Sequence, residues 1–257
     1  MHCPSVSSLA DIVARLRDPQ TGCPWDKAQT SASIVDNTLE EAYEVRDAVE
    51  NDDPTALKEE LGDLLLHVVF HAQIASENGG FTLEDVAKNA CEKMIRRHPH
   101  IFGDKDALPD WEEMKRAERI EKKQNGVLDG IATALPAPVR ALKLQSRAAT
   151  VGFDWDSAFE VLDKIEEEIG ELRAEMRQEN HVGEREDELG DVLFACVNLA
   201  RKLNIDPERA LKRTNEKFER RFRFIEETLK SENKRFEDVS LNDMEDLWCQ
   251  AKRSEHP

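Results

Sequence analysis

Two pairs of acidic residues have the types and the spacing needed to bind a metal ion. Glu168 and Glu171 lie in one predicted helix, and Glu188 and Asp191 lie in the next. Residues three or four apart share one face of a helix, so each pair projects from its helix together. A short turn makes the two helices antiparallel and brings the pairs face to face at a similar depth. The spacing therefore predicts four oxygen ligands at one place.

Acidic side chains crowded at a partly buried helix interface repel one another, and bound cations would remove this penalty. Carboxylate oxygens without cysteine or histidine among them favour Mg²⁺, or else Mn²⁺, over zinc or copper. A di-iron bundle would need Glu-x-x-His on two helices. The required places lack that motif, because His67 lies seven residues after Glu60 and its counterpart in the second half is Ala195.

The acidic pairs occur twice because the sequence contains two related halves. Five blocks recur in the same order, among them Glu60-Leu61-Gly62-Asp63 and Glu188-Leu189-Gly190-Asp191. A single EExxE motif is more often a solvated helix face in an acidic chain, but its repetition beside a second pair in both halves weakens that explanation. The second candidate metal site consists of Glu41, Glu44, Glu60 and Asp63.

Helical periodicity dominates the sequence, and no stretch alternates apolar and polar residues for long enough to predict a strand. We expect an all-α fold of two tandem homologous helix-bundle domains, residues 1–135 and 136–257. The boundary follows from the prolines of Leu135–Pro138, which we expect to lie outside any helix. A helical hairpin carries the acidic pairs in each domain. The predicted hairpin helices are Ile34–Glu50 and Thr55–Glu77 in the first half, and 157–179 and 184–203 in the second.

A basic segment, Asn215–Phe222, follows the second hairpin. It places Lys217 and Arg221 one helical turn apart, with Arg220 beside them. Cations near a metal site stabilise the charge that builds up on a departing polyphosphate. Lys164, one turn before the first acidic pair, could reach the same place.

Trp248 has a flat face that could stack on a nucleobase or a ribose. A single tryptophan is more often part of a core, and its recurrence as Trp111 indicates a structural role common to both halves. Phe218 and Phe222 are likewise more readily explained as the core-facing residues of an amphipathic helix.

Composition limits the classes of partner. The formal net charge is -18 at pH 7, which argues against binding to long nucleic acids, because such binding relies on a basic surface. The five cysteines show no CxxC spacing, so neither a disulfide framework nor a zinc site is favoured. No signal peptide or membrane span is predicted, and we expect a cytoplasmic protein without membrane partners.

These motifs together resemble one protein family. EExxE, ExxD on the next helix and then NEKFERRF, with GCPWDKAQT and RRHPHIFGD in the first half, are similar to the MazG family of nucleoside triphosphate pyrophosphohydrolases in its two-domain bacterial form. The resemblance covers essentially the whole chain. It implies an all-helical homodimer or larger assembly that uses Mg²⁺ to hydrolyse NTPs, such as ATP, and dNTPs to the monophosphate and pyrophosphate.

The resemblance also implies roles for individual residues. Glu168, Glu171, Glu188 and Asp191 become metal ligands, and Glu167 is the first candidate to accept the proton of the attacking water. Glu168 is expected to be essential for turnover. The residues expected at the substrate are Lys164, Glu167, Lys217, Phe218, Glu219, Arg220, Arg221 and Trp248.

The first half departs from the family pattern in its basic segment. Lys93-Met94-Ile95-Arg96-Arg97-His98 stands where the second half has Lys217–Phe222, so we expect the second domain to carry most of the activity. A nucleotide-sensing or protein-interaction module that binds without cleaving is the alternative. It is most relevant for the first half.

Overall fold

The computed structural model describes residues 5–103, 111–121, 124, 126–178 and 182–255, without the side chains of 111–113, 115 and 116. Trp111, predicted to share a role with Trp248, therefore has a side chain outside the described residues. Within these ranges the chain forms helices joined by turns and contains no strand, which confirms the all-α prediction. None of the described helices combines the length and hydrophobicity that a membrane span requires.

The chain folds as two compact units, Met1–Lys115 and Arg116–Pro257. The domain boundary drawn from the sequence at residue 135 stays a prediction. One expectation about that segment was wrong, because Pro138 lies inside the first turn of the helix Ala137–Ala149. A proline is tolerated there, since the backbone N–H that it lacks would have no partner within the helix.

The first unit contains the helices up to residue 102, and α7 crosses the division between the units. In chain order the helices are α1 (Val6–Leu16), α2 (Pro24–Ala28), α3 (Ser31–Glu50), α4 (Pro54–Glu77), α5 (Leu83–Arg97), α6 (Pro99–Phe102) and α7 (Trp111–Glu121). The second unit continues with α8 (Ala137–Ala149), α9 (Ala158–Glu175), α10 (Val182–Lys202), α11 (Pro207–Ser231), a 3-10 turn (Phe236–Asp238) and α12 (Leu241–Ser254).

The first hairpin consists of α3 and α4, which pack along each other as predicted. The Thr30 side chain accepts a hydrogen bond from the Ser33 amide and begins α3 three residues before the predicted start. Asp52, with φ of 53°, reverses the chain after α3. The Asp53 carboxylate then caps α4, and Pro54 occupies its first turn. These local interactions thus determine where α3 ends and where α4 begins, and so how the two acidic helices are joined.

The second hairpin consists of α9 and α10, which also pack along each other. The Ser157 hydroxyl caps α9 by accepting from the Glu160 amide. The turn predicted at Asn180–Gly183 lies partly outside the described residues, and Gly183 belongs to α10. Helix α10 packs further against α8, and α11 packs against both α8 and α12. These contacts place the acidic faces of α9 and α10 beside α8.

The core of the first unit lies between α1, α3 and α4. It is formed by Val13, Ile34, Val69, Phe70 and Ile74. In the second unit, by contrast, Leu189 and Leu193 of α10 are 49% and 60% exposed. Part of the apolar face that supports the acidic pairs therefore faces outward from this chain.

Arg17 connects three parts of the first unit. Its guanidinium donates to the Glu77 carboxylate at 3.0 and 2.7 Å, and also to the backbone oxygens of Asp26 and Gln29. The same group lies 5.2 Å from the centre of the Phe70 ring. Because Arg17 is only 8% exposed, it binds the end of α1, the loop around α2 and α4 together inside the unit.

Replacing Arg17 by alanine should destabilise the first unit by about 2–3 kcal/mol, because Glu77 and two backbone oxygens lose their buried donor. Arg15→Ala is the matched control, since Arg15 belongs to the same helix and is exposed. We expect it to change stability by no more than about 0.5 kcal/mol. Urea unfolding followed by circular dichroism measures both, and equal effects would contradict a structural role for Arg17.

Candidate active site

The second unit brings the predicted acidic residues of α9 and α10 together. Carboxylate oxygens of Glu168, Glu188 and Asp191 all lie within 4.8 Å of one another. Glu171, the fourth predicted ligand, is hydrogen-bonded to Glu168. Glu168 is only 7% exposed, so the group reaches into the helix interface. The convergence of acidic oxygens expected from the spacing is therefore present in the fold.

Lys164 supplies a positive charge at the edge of this group. Its Nζ atom lies 2.7 Å from Glu168 Oε1 and 2.9 Å from Glu167 Oε1. These two carboxylates raise the pKa of Lys164 above its ordinary value, so the ammonium group stays charged at neutral pH. One lysine cannot balance four carboxylates, and the site remains short of positive charge.

The repulsion among the carboxylates is visible in their acidities. The hydrogen bond with Glu168, followed by desolvation, raises the pKa of Glu171 above its ordinary value. Desolvation, followed by the neighbouring charges of Asp191 and Glu168, raises the pKa of Glu188. Both shifts mean that a proton or another cation is held more tightly here than on an isolated carboxylate.

The group fits a hard divalent cation. Glu188 Oε2 is buried and has no hydrogen-bond partner in the described part of the chain. A buried carboxylate oxygen without a donor is costly, and a metal ion would satisfy it. The donor set consists of carboxylate oxygens alone, which is the chemistry that Mg²⁺ prefers. The residues present therefore suit a divalent metal ion.

The first unit repeats the acidic group on α3 and α4. Carboxylate oxygens of Glu41, Glu60 and Asp63 lie within 4.8 Å of one another. Desolvation and the neighbouring Glu44 and Asp63 carboxylates raise the pKa values of Glu41 and Glu60. Glu44 also contacts both glutamates, so all four residues of the second candidate site are neighbours.

The two acidic groups have different neighbours. Asn37 stands at the position in the first unit that corresponds to Lys164. The nearby basic side chain is instead His67, whose Nε2 atom lies 3.7 Å from Glu41 Oε1. Thr38 Oγ1 lies 3.3 Å from His67 Nδ1 and 3.0 Å from His71 Nε2. No sequence pattern indicates a role for Thr38 or His71, because only the packing of α3 on α4 brings Thr38 to the two histidines.

The basic segment of α11 divides between two places. Lys217 and Arg220 line a groove of about 600 Å³ together with Arg209 and Arg213. Arg221 is only 8% exposed and donates to Glu255 at 3.0 and 2.7 Å. Arg220 also reaches Glu255, with its Nη2 atom 3.5 Å from Oε1, but only Arg221 is buried.

The aromatic residues of the segment pack between α11 and α12. The Phe218 and Trp248 ring centres are 5.3 Å apart, and the Arg221 guanidinium lies 5.4 Å from the Trp248 ring. Trp248 is half-buried. Glu219 points elsewhere and lies 3.6 Å from Arg223. None of the described residues that line the groove on α11 also lines the pocket beside the carboxylates.

That pocket, of about 510 Å³, lies in the second unit and is bordered by Glu168 and Asp191. Its rim includes the 152–155 loop, which Arg201 and Lys202 hold through Asp154. Hydrogen bonds from Arg201 and Lys202 lower the pKa of Asp154 to about 2. No sequence pattern predicts this pocket, since its walls come from distant parts of the chain.

An all-α chain that gathers acidic oxygens between paired helices is a candidate divalent-metal enzyme, and comparisons with known proteins define its family. The MazG nucleotide pyrophosphohydrolase domain matches twice, at residues 29–102 and 156–224. The two matches contain the two acidic groups, one in each unit. The chain therefore belongs to the MazG family of nucleotide pyrophosphohydrolases.

Full-length relatives agree with this assignment. The nucleoside triphosphate pyrophosphohydrolase of Escherichia coli K12 is 48% identical over 97% of this chain and 98% of its own length. The nucleoside triphosphate pyrophosphohydrolase/pyrophosphatase MazG of Thermotoga maritima is 42% identical over 95% of this chain and 94% of its own length. The nucleoside triphosphate pyrophosphohydrolase of Mycobacterium tuberculosis is 38% identical over 56% of this chain and 46% of its own length.

Lowering the pH from 7 to 5 should stabilise the metal-free second unit against unfolding. Mg²⁺ should stabilise this unit mainly at pH 7. Because Glu171 and Glu188 have raised pKa values in the fold, the folded chain binds more protons than the unfolded chain between the ordinary and the raised values. Their contribution is favourable at low pH and is lost as the pH rises through the raised values. Thermal unfolding with and without Mg²⁺ at pH 5 and pH 7 tests this.

Glu188→Gln and Glu186→Gln remove the same charge from α10, and Glu186 is exposed. We expect Glu188→Gln to reduce both the pH dependence and the Mg²⁺ stabilisation, while Glu186→Gln leaves both close to those of the wild type. Equal stabilisation by Mg²⁺ at the two pH values would contradict the competition between protons and metal ions.

Proposed function

We propose that this chain hydrolyses nucleoside triphosphates and deoxynucleoside triphosphates to the monophosphate and pyrophosphate, with Mg²⁺ held by Glu168, Glu171, Glu188 and Asp191. Mn²⁺ is the expected substitute. The observation that carries the proposal is the convergence of Glu168, Glu188 and Asp191, of which Glu168 and Asp191 also line the pocket. The names of the E. coli and T. maritima relatives support the same reaction.

The residues around the carboxylates have different roles in the proposed reaction. When bound, Mg²⁺ supplies polarisation of the phosphate oxygens and a lowered pKa for a coordinated water. Lys164 holds Glu168 in place through its 2.7 Å contact. Glu167 is more exposed, and one of its oxygens contacts Lys164, so its other oxygen serves as the general base.

The basic groove on α11 suits the polyphosphate part of the substrate. Lys217 and Arg220, with Arg209 and Arg213, form a concentration of positive charge in a chain of net charge -18. Such cations stabilise the charge that develops on leaving pyrophosphate. Arg221 is paired with Glu255, so we propose that it positions Trp248, with Phe218 beside it, as a contact to the ribose. Glu219 is paired with Arg223 instead, so we assign it no direct contact with the nucleotide.

We also propose a homodimer. The exposed Leu189 and Leu193 of α10 have counterparts in Leu61 and Leu65 of α4, which are 49% and 37% exposed. Both acidic hairpins thus leave the same apolar positions uncovered, and a second copy would bury them. An enzyme acting on nucleoside triphosphates belongs with its substrates in the cytoplasm.

The first unit is the candidate for a sensing role. Its acidic group lacks a lysine at the position of Lys164 and has His67 at 3.7 Å from Glu41 instead. Asn37 supplies no positive charge where the second unit has the ammonium group of Lys164. We therefore propose that the first unit binds metal and nucleotide with little or no cleavage.

Glu168→Gln should reduce turnover at least about 100-fold without unfolding the chain, because a buried metal-site carboxylate loses its charge. Glu166→Gln is the matched control, since Glu166 is exposed on the same helix. Glu41→Gln should keep most of the turnover. Chromatography of nucleotide products from ATP and dNTPs, with and without Mg²⁺, measures all three.

Monophosphate and pyrophosphate as products, lost with a chelator and in Glu168→Gln alone, would support the proposal. Full activity in Glu168→Gln, or diphosphate and phosphate as products, would refute it. A loss of activity in Glu41→Gln equal to that in Glu168→Gln would refute the division of roles between the two units.

A further inference from the structure

We infer that the pocket beside Glu168 and Asp191 holds the nucleobase of the substrate, and that Gln145 accepts a hydrogen bond from the base. The inference rests on the proposed function and adds to it a residue and a place for base recognition. It concerns the second unit alone. The pocket is formed by α8, the 152–155 loop, α9 and α10.

The position of the pocket follows from the chemistry of the substrate. Glu168, Asp191 and Lys164 are part of its lining. A triphosphate held at those carboxylates would leave the rest of the nucleotide to occupy the adjoining space. The volume of about 510 Å³ is within the range of small-molecule sites. Most of the remaining lining is apolar, and includes Leu128, Leu144, Ala148, Phe153, Trp155 and Phe194.

Gln145 presents an unpaired acceptor in this pocket. The residue is 7% exposed, and its Nε2 atom donates to the backbone oxygen of Phe194 at 2.8 Å. A carbonyl oxygen can only accept, so this bond fixes which end of the amide is the nitrogen. Gln145 Oε1 is buried and has no hydrogen-bond partner in the described part of the chain. A ligand with an N–H group would satisfy it.

Asn198 presents the complementary group. Its Oδ1 atom accepts from Arg201 Nε at 3.0 Å and from Arg201 Nη2 at 2.8 Å. Arginine only donates, so the Asn198 amide nitrogen is the end that remains as a donor. A donor and an acceptor lining one pocket suit the Watson–Crick edge of a base, which carries both kinds of group.

Two aromatic side chains at the rim supply flat apolar faces. Phe153 is 78% exposed and Trp155 is 40% exposed, and both line the pocket. Exposed aromatic rings beside residues that can hydrogen-bond the edge of a base are suited to stacking on that base. The ion pairs of Asp154 with Arg201 and Lys202 hold the loop that carries both rings.

The first unit provides an internal comparison. The repeated ELGD blocks align Asn198 with Phe70, which is 7% exposed and part of the first-unit core. The similar blocks Gly22–Asp26 and Gly152–Asp156 align Gln145 with the exposed Arg15. Gln145 and Asn198 are thus particular to the second unit, where we place catalysis. The fold that the two units share does not require them.

The test compares kcat/KM for ATP and for purine riboside triphosphate, which differs from ATP only in lacking the 6-amino group. The wild type should prefer ATP by about five- to tenfold, the factor expected for one hydrogen bond. Gln145→Met keeps the size of the side chain and should abolish the preference. Inhibition by inorganic triphosphate, which has no base, should be the same in both proteins.

A second pair of variants tests the pocket without altering a buried residue. Phe153→Ala should raise KM for ATP by about tenfold through loss of stacking. Phe159→Ala is the control, because Phe159 is also 78% exposed in the same unit but does not line the pocket. It should leave KM unchanged.

An unchanged preference for ATP in Gln145→Met, or equal effects of the two phenylalanine substitutions, would overturn the inference while leaving the proposed hydrolysis intact. Failure of the wild type to cleave any nucleoside triphosphate would instead overturn the proposed function, and the inference with it. Loss of inhibition by inorganic triphosphate in Gln145→Met would also overturn the inference, because the residue would then act on the phosphates or the fold.

Discussion

Repulsion between carboxylates at the packed interface of two helices is the constraint on which the rest of the structure depends. Glu168 is nearly buried, Glu188 has a buried oxygen without a hydrogen-bond donor, and Asp191 lies close to both. Apolar packing alone would favour moving these charges into water. The hairpin turn, the helix caps and the packing of α8 against α10 hold them together, and Lys164 offsets only part of the charge. A divalent cation would offset the remaining negative charge of the carboxylates. Such a cation can also bind phosphate oxygens, so the repulsion within the site makes it suited to binding a polyphosphate.

The two units show how one acidic framework can be used differently. Both gather a glutamate from the first hairpin helix and an acidic pair from the second. The second unit adds Lys164 and an open pocket with Gln145 and Asn198. The first unit places histidine beside Glu41 and fills the position of Asn198 with Phe70, a core residue. The framework fixes where metal ions can bind, whereas the neighbouring residues decide whether a base and a leaving group can also be accommodated.

The sequence predicted the parts of this arrangement that depend on local spacing. Helical periodicity placed the acidic residues on shared faces, and the short turn between α3 and α4 paired the helices correctly. The burial of Arg221 could not be predicted from local spacing, because its partner Glu255 lies 34 residues away on another helix. Gln145 and Asn198 were missed for the same reason, since only the packing of α8 on α10 brings them together. The proline at 138 was misjudged because a helix start tolerates it.

A crystal structure of the chain with Mn²⁺ and a non-hydrolysable nucleoside triphosphate, with the metal located by anomalous scattering, would test the central claim most directly. We expect anomalous density between α9 and α10, bound by Glu168, Glu188 and Asp191 and shared with phosphate oxygens. Density at another place, or a nucleotide bound with these carboxylates still free of metal, would contradict the role of the acidic group as the catalytic metal site.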